Sequence, residues 1–477
     1  MLFKHSSIYL LVKLTSGLLA FTALSLYTHL LTPAEYGLYT LLFTGILLIH
    51  NVILDWLPSG TTRYWSNPKY AKTQFINTLS RVYMGMLGGL FILLLLYSLF
   101  NWLYGNDQAS WVFIAYFYLF SLALFTITQI ILTADIQPMQ YGLLTISYAV
   151  LALLFGTLFA YFGYGANGVI FGISLGALIP FLFMFKRVWL PQKKNQYNPI
   201  LFKRLLIYGM PMAAAALIEE ITLVTDRFML ASLSGKADAG LYAVGSDLAG
   251  NSILMIIAAI CASAYPVIIN LLDNESKEAA LEYIRKYSIL LLGLSIPATV
   301  GLNLVGPNIV ELIIAEEFQA STILLLPWIS CGILLLGIQV CYFNIAFQLA
   351  KKTITSVKIA AFIGVTNFIL NYLLIPTMNI KGAAIATLLS FALGCIVSAI
   401  VGRRYFAMPL PFKDLLKIIV ASLFMTACMW NLIDLRGVGW LAVQLIVGIV
   451  SIFVIMWAFN VLDIRDTIKD YLKEKSA

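Results

Sequence analysis

Two adjacent carboxylates, Glu219 and Glu220, sit in the middle of an otherwise apolar run, and an acid–base pair, Asp226 and Arg227, follows within two turns. An ionisable group in a membrane segment costs about 3 kcal/mol or more when it faces hydrocarbon, so such groups line a bundle interior or a wet cavity. Helix neighbours point about 100° apart. One of Glu219 and Glu220 can therefore face a lumen, as a proton or sodium site or as a hydrogen-bond acceptor, while the other bonds to an adjoining helix. The same geometry removes glycosidase chemistry, in which two carboxylates must flank one bond. Asp226 falls nearly on the stripe of Glu219, and an interhelical salt bridge is expected from Asp226 and Arg227. Asp247 and Asn251, four residues apart on the next apolar run, share a face that could border a polar lumen.

A second set lies near the N-terminus. Lys13 shares a helical face with Ser16, Gly17 and Ala20. It could attract a diphosphate or snorkel to the headgroups. Thr40, Thr44, Asn51 and Asp55 form a polar stripe, and Arg63 follows in the next loop. Asp55 and Arg63 could form a gate, bind a sugar-phosphate headgroup, or make a structural pair at the interface. Gln129, Gln339, Asn344, Gln348, Asn367 and Asn371 read mainly as interhelical hydrogen-bonding groups. The five cysteines fall singly in apolar runs, without a CxxC, and read as small buried hydrophobes. With three scattered histidines, no metal site or cofactor is expected. The absence of GxxxxGK[ST] argues against nucleotide hydrolysis, and no nucleic-acid partner is expected.

The elements that position these groups must live in lipid. The chain has 477 residues, 61% hydrophobic and only 11% charged, against about 25% charged in soluble domains. A bilayer core needs about 20 apolar helical residues. Fourteen segments qualify, near 8–31, 36–57, 81–104, 110–132, 142–162, 166–187, 205–231, 240–270, 284–304, 321–347, 358–376, 381–402, 413–433 and 438–460. Period-two alternation is missing, so a β-barrel is not expected. Lys13 interrupts the first run and no cleavage site follows, which marks a retained helix rather than a signal peptide. Lys and Arg crowd alternate loops, and the opposite loops hold only Lys236, Lys381 and Arg436. By the positive-inside rule both termini are cytoplasmic. The longest loops, 58–80 and 188–204, are too short for a catalytic lobe, so an enzyme is not expected.

Two stretches repeat. Leu31-Thr-Pro-Ala-Glu-Tyr-Gly37-Leu-Tyr39 resembles Ser234-Gly-Lys-Ala-Asp-Ala-Gly240-Leu-Tyr242, and Tyr164-Gly-Ala-Asn-Gly168 resembles Met378-Asn-Ile-Lys-Gly382. Both pairs map spans one to six onto seven to twelve. Six is even, so the halves form parallel repeats. The expected organisation is a six-helix lobe over 1–190, a second over 200–402, and a terminal helix pair with a cytoplasmic tail over 411–477. The repeated glycines are expected at tight turns that need positive φ or close packing.

These motifs resemble the polysaccharide flippases of the multidrug/oligosaccharidyl-lipid/polysaccharide exporter superfamily. The resemblance rests on Leu31–Tyr39, on Tyr208-Gly-Met-Pro211 followed by Thr225-Asp-Arg-Phe-Met-Leu230, on Gly240-Leu-Tyr242, and on Gly306-Pro307 with Glu317-Phe318. It implies an all-α, V-shaped polytopic membrane protein of about 14 helices that works as a monomer by alternating access. The implied cargo is an oligosaccharide on a polyprenyl diphosphate, flipped across the bacterial inner membrane for O-antigen, capsule or exopolysaccharide. Coupling to proton or sodium uptake through Glu219, Glu220 or Asp247 is conceivable. Lys13, Arg227 and Arg63 are few cations for a peptidoglycan-precursor flippase, whose lumen is expected to be strongly cationic. A cation-coupled multidrug exporter of the same superfamily is the alternative, and a polymerase or ligase would need a larger outward loop.

Overall fold

The computed structural model describes residues 2–54, 56–65, 69–103, 109–189 and 197–461, and every regular element among them is helical. Helices close their own backbone hydrogen bonds, which is what a chain this apolar requires in lipid. The chain divides into two compact units, Met1–Val224 and Thr225–Ala477.

The first unit holds α1 (Leu2–Leu30), α2 (Pro33–Leu54), α3 (Trp56–Tyr64), α4 (Lys72–Leu103), α5 (Ala109–Ala134), α6 (Pro138–Tyr161) and α7 (Gly165–Val188). It also holds the start of α8 (Pro199–Leu233). Local sequence sets the helix starts. Thr32 and Glu35 form a reciprocal capping box at α2, with the Thr32 backbone N–H 3.0 Å from Glu35 Oε2. Asn198 Oδ1 accepts from the backbone N–H groups of Ile200 and Leu201 at 3.0 and 3.1 Å and so caps α8. The α6–α7 seam is built of small residues, because α6 brings Ala152 and Gly156 against Gly172 and Gly176 of α7. A Cβ on Gly176 would lie 2.5 Å from the Ala152 Cα, and one on Gly172 2.5 Å from the Phe155 carbonyl carbon. Such backbone approach is how membrane helices gain packing without a hydrophobic driving force.

Part of the loop expected at 58–80 is α3. Trp56 and Leu57 are buried among Phe75, Leu79, Leu201 and Leu205, and Gly60 packs on the Leu205 backbone. A two-turn helix offers too few apolar positions for its period to stand out in the sequence.

The second unit continues α8 and adds α9 (Lys236–Asn274), α10 (Lys277–Ile313) and α11 (Glu316–Ile338). A five-residue π-turn, Gln339–Phe343, leads into α12 (Asn344–Leu349), then α13 (Thr353–Gly402), α14 (Phe412–Met429) and α15 (Val438–Ala458). The Tyr287 hydroxyl of α10 donates to the Cys341 carbonyl inside the π-turn at 2.7 Å. Helix α11 packs between α9 and α13, while α14 and α15 pair with each other and with α10.

Helix α13 breaks at Asn379 (φ 48°, ψ −130°). In the repeat Asn379 matches Gly165, which also has positive φ, at 54°. Gly168 and Gly382, expected to need positive φ or close packing, show the close packing: they sit where the chain doubles back closely. A Cβ there would lie 2.5 Å from Tyr164 Cβ and 2.7 Å from the Leu374 carbonyl carbon, respectively. The two halves therefore turn with the same device, a positive φ three residues before a close-packed glycine.

Among the described residues, twelve helices are long and apolar enough to cross a membrane. The expected count of fourteen differs in two places: α13 is taken whole despite its break, and α8 is not among the twelve because several of its side chains lie outside the described residues. Two of the five cysteines, Cys331 and Cys428, are exposed on their helices and Cys261 and Cys395 are half-buried. Of the five expected in the interior, only Cys341 is fully buried, because an apolar run in lipid does not distinguish inward from outward faces.

Candidate functional site

Among the described candidates, the most enclosed acid is Asp226. It lies in the last third of α8 and is 3% exposed. Three neighbouring segments meet its carboxylate. From α9, the Tyr242 hydroxyl donates to Oδ2 at 2.6 Å. From the first half of α13, Asn371 Nδ2 donates to Oδ1 at 2.5 Å, and from the second half the Thr387 hydroxyl donates to Oδ2 at 2.5 Å. The break at Asn379 is what lets one helix bring residues from both its halves to a single carboxylate.

A second layer fixes these donors. Asn371 Nδ2 also donates to Asn367 Oδ1 at 3.0 Å, and Ser390 donates to the Thr387 carbonyl at 3.0 Å. Asn367, Asn371 and Ser390 are fully buried. Asn371 Oδ1 is buried with no hydrogen-bond partner. The node thus holds a carboxylate whose three donors are all neutral, ringed by the oxygens of Asn367, Asn371, Thr387 and Ser390. A half-turn of the Asn371 amide would exchange its nitrogen and oxygen and point a further oxygen at the carboxylate. Such an arrangement can take up one proton or one small hard cation.

Arg227, the next residue, points elsewhere. Its guanidinium donates to Asp247 Oδ1 of α9 at 2.5 Å, and the two side chains are 12% and 30% exposed. The expected interhelical salt bridge therefore exists through Arg227 and Asp247, and Asp226 takes no part in it. Asn251 lies one turn beyond Asp247 on α9 and is half-buried. The structure thus gathers Asp226, Arg227 and Asp247 in one unit, joined by Tyr242, Asn371 and Thr387.

The remaining candidates lie in the first unit. Glu220 is half-buried on α8, and the Glu219 side chain lies outside the described residues. On α2, Asn51 Oδ1 lies 3.2 Å from His50 Nδ1. Lys13 on α1 and Arg63 on α3 are exposed, and Asp55 lies outside the described residues. Sequence reasoning passed over Thr387, and it valued Tyr242 only as part of a motif. The spacing of Asn367 and Asn371 was visible, but their convergence on Asp226 needs the turn at Asn379. No group of three or more His, Cys, Asp or Glu side chains that could hold a metal occurs among the described residues.

A second feature of this unit is an apolar cavity of about 660 Å³ among α9, α10, α14 and α15, lined by Leu294, Gly301, Met425, Met429 and Ile449. Its two polar wall residues are already satisfied: Ser252 donates to the Leu248 carbonyl at 2.7 Å, while Gln444 Oε1 accepts from Asn308 at 3.0 Å and Gln444 Nε2 donates to the Leu432 carbonyl at 2.6 Å.

The fold is similar to that of a structure of lipid II flippase MurJ in an inward closed conformation. The TM-score is 0.75 at 16% identity, covering 96% of this chain and 99% of that one. An inward-facing multidrug resistance MATE family transporter of the MOP superfamily gives a TM-score of 0.63 at 16% identity, over 83% of this chain and 97% of that one. In sequence, the chain is 29% identical over 161 residues to the probable low-salt glycan biosynthesis flippase Agl15 of Haloferax volcanii. That match covers 33% of this chain and 32% of the archaeal protein, so the chain spans about a third of the length of the curated relative it matches. Residues 2–272 match the polysaccharide biosynthesis protein family over more than half of the chain; this all-helical membrane protein belongs to that family.

Proposed function

We propose that the protein is a flippase that carries polyprenyl-diphosphate-linked oligosaccharide repeat units across the bacterial inner membrane for O-antigen, capsule or exopolysaccharide synthesis. Transport proceeds by alternating access, with both termini in the cytoplasm. The observation that carries the reading is the family match over residues 2–272 in a chain whose fold follows a lipid II flippase over 96% of its length. The multidrug transporter fold follows a smaller share, 83%.

Asp226 is the coupling site in this reading. A carboxylate enclosed by Tyr242, Asn371 and Thr387 binds a proton or sodium ion, and its occupancy biases the unit between two packings of α8 against α13. One charge crossing 100 mV supplies about 2.3 kcal/mol, enough to bias such an equilibrium some 50-fold or less, roughly, by the usual factor of ten per 1.4 kcal/mol. The Arg227–Asp247 pair positions α8 against α9. The apolar cavity beside α14 and α15 suits a hydrocarbon chain, because its walls satisfy no polar group.

Deleting the gene tests the function. Lipid-linked repeat units should accumulate on the cytoplasmic face while surface polysaccharide falls. Normal surface polysaccharide in a strain without a paralogue contradicts the reading. Drug hypersensitivity with unchanged glycans would transfer the protein to the multidrug exporters.

A further inference from the structure

A polar cavity of about 470 Å³ opens at one end of the first unit, where the start of α4, the α5–α6 turn and the end of α7 meet. Its lining includes Trp65, Lys72, Asp135, Gln137, Gln140 and Arg187, backed by Thr73 and by aliphatic side chains of α4, α5 and α7. None of these six belongs to the Asp226 node.

The charges in it are already partly arranged. Asp135 accepts from the Lys72 ammonium, from Gln137 Nε2 at 2.7 Å and from the Trp65 indole N–H at 3.4 Å. Burial works against its charge, but these hydrogen bonds outweigh it and hold the carboxyl below its usual range. Lys72 also lies 5.9 Å from the centroid of the Trp65 ring. Asp135 and Lys72 therefore cancel, and Arg187 leaves the cavity with one net positive charge. Gln140 adds a different demand. Its Oε1 is buried with no hydrogen-bond partner, and a buried acceptor left without a donor costs about 1–3 kcal/mol.

A fitting occupant carries one negative charge for Arg187 and a hydrogen-bond donor for Gln140. The surroundings supply the third constraint. Ile136 and Met139, on the same turn as Asp135 and Gln140, are 68% and 74% exposed. Large apolar side chains beside a cationic pocket at the ends of membrane-length helices mark the headgroup layer, where Trp and basic residues also concentrate.

We propose that this cavity binds the headgroup of an anionic glycerophospholipid that bears a free hydroxyl, as phosphatidylglycerol does. The phosphodiester lies against Arg187 and Lys72, the headgroup hydroxyl donates to Gln140 Oε1, and Ile136 and Met139 rest on the acyl chains. A soluble phosphate would satisfy the first contact but gains nothing from the apolar rim.

The test is lipid retention by the purified full-length protein, read by native mass spectrometry after exchange into phosphatidylglycerol, phosphatidylethanolamine or phosphatidylcholine, with inorganic phosphate as a fourth arm. The wild type should retain phosphatidylglycerol roughly tenfold more than phosphatidylcholine, the fold-change of one charge-assisted hydrogen bond. Arg187→Gln and Gln140→Leu should each remove most of that preference, and Arg187→Lys should restore part of it. Equal retention of the lipids by the wild type overturns the proposal, and that comparison requires no variant to fold. Unchanged preference in both variants, or inorganic phosphate displacing the lipid at equal concentration, overturns it as well.

Discussion

The two units share matched sequence motifs but differ in the chemistry placed on them. In the first, α1 and α2 meet where Tyr27 and Tyr39 pack edge-on at 5.5 Å, and α2 meets α5 where Phe43 stacks on Tyr118 at 5.8 Å. Tyr27 donates weakly to the Ala152 carbonyl of α6, at 3.4 Å. In the second, Tyr242 takes the place of Tyr39 in the repeat, yet its hydroxyl is bound to a buried carboxylate. The residue matching Asp226 is Ala23, and the one matching Asp247 is Thr44, whose hydroxyl bonds within its own helix to Thr40 at 2.6 Å. The matched turns at Gly165 and Asn379 agree in backbone, while the buried acid Asp226 has only Ala23 as its counterpart. A buried charge is expensive, so its presence in one unit and absence from the matching position in the other points to use rather than to packing.

The comparison breaks most directly at Asp226. Replacing it by Leu strands three donors and should destabilise the protein by about 3 kcal/mol, read as a lowered midpoint in thermal unfolding, and should abolish transport. Asp247→Ala should cost about 2 kcal/mol, because Arg227 is left half-buried without this partner. The matching Thr44→Ala should stay within about 0.5 kcal/mol. Equal losses at the two positions would mean that the units do not differ in kind.

Close packing sharpens the contrast from the other side. A methyl group on Gly176 meets the backbone of Ala152, which cannot yield, whereas one on Gly394 meets the movable Ile363 side chain. Gly176→Ala should therefore cost about 2–3 kcal/mol and Gly394→Ala about 1 kcal/mol by overpacking. At the paired turns, Gly165→Ala should cost about 1 kcal/mol in left-handed backbone strain, while Asn379→Gly should be nearly neutral. Both series are measurable as shifts in thermal midpoint.

The smallest effect concerns Asp135, which lies outside the spans. Its folded pKa is depressed below the unfolded value of about 3.9. Its contribution is therefore fully present above the unfolded value and is lost as pH falls through the folded one. The difference in thermal midpoint between wild type and Asp135→Asn should be constant from about pH 5 to 8 and should shrink only below about pH 4. A difference that already falls near neutral pH would contradict the hydrogen bonds assigned to this carboxylate.

Much of the architecture was legible because lipid enforces it. The apolar runs mark the membrane-length helices, although α4 begins nine residues before its expected start and α10 ends nine residues after its expected end, and the break of α13 is announced by Met378-Asn-Ile-Lys-Gly382 against its counterpart in the first half. Helix α3 was not legible, since its burial depends on Leu201 and Leu205 from far along the chain. The site was half legible. Asp226, Arg227 and Asp247 stood out as charges in apolar segments, but which acid paired with Arg227 depends on the rotation of α8 against α9. Thr387 gave no signal at all, because a threonine in a membrane helix ordinarily bonds to its own backbone and acquires a role only through the fold-back at Asn379.

In the proposed mechanism Asp226 drives the movement of a lipid-linked sugar, and one reconstitution tests both halves. Purified protein in proteoliposomes would be given a polyprenyl-diphosphate oligosaccharide in the outer leaflet, and its disappearance from a membrane-impermeant probe would be followed with and without a sodium or proton gradient. The account predicts gradient-dependent translocation by the wild type and its loss in Asp226→Asn, with Thr44→Ala unaffected. Translocation that is equally fast in Asp226→Asn, or absent from folded wild-type protein under either gradient, would contradict it.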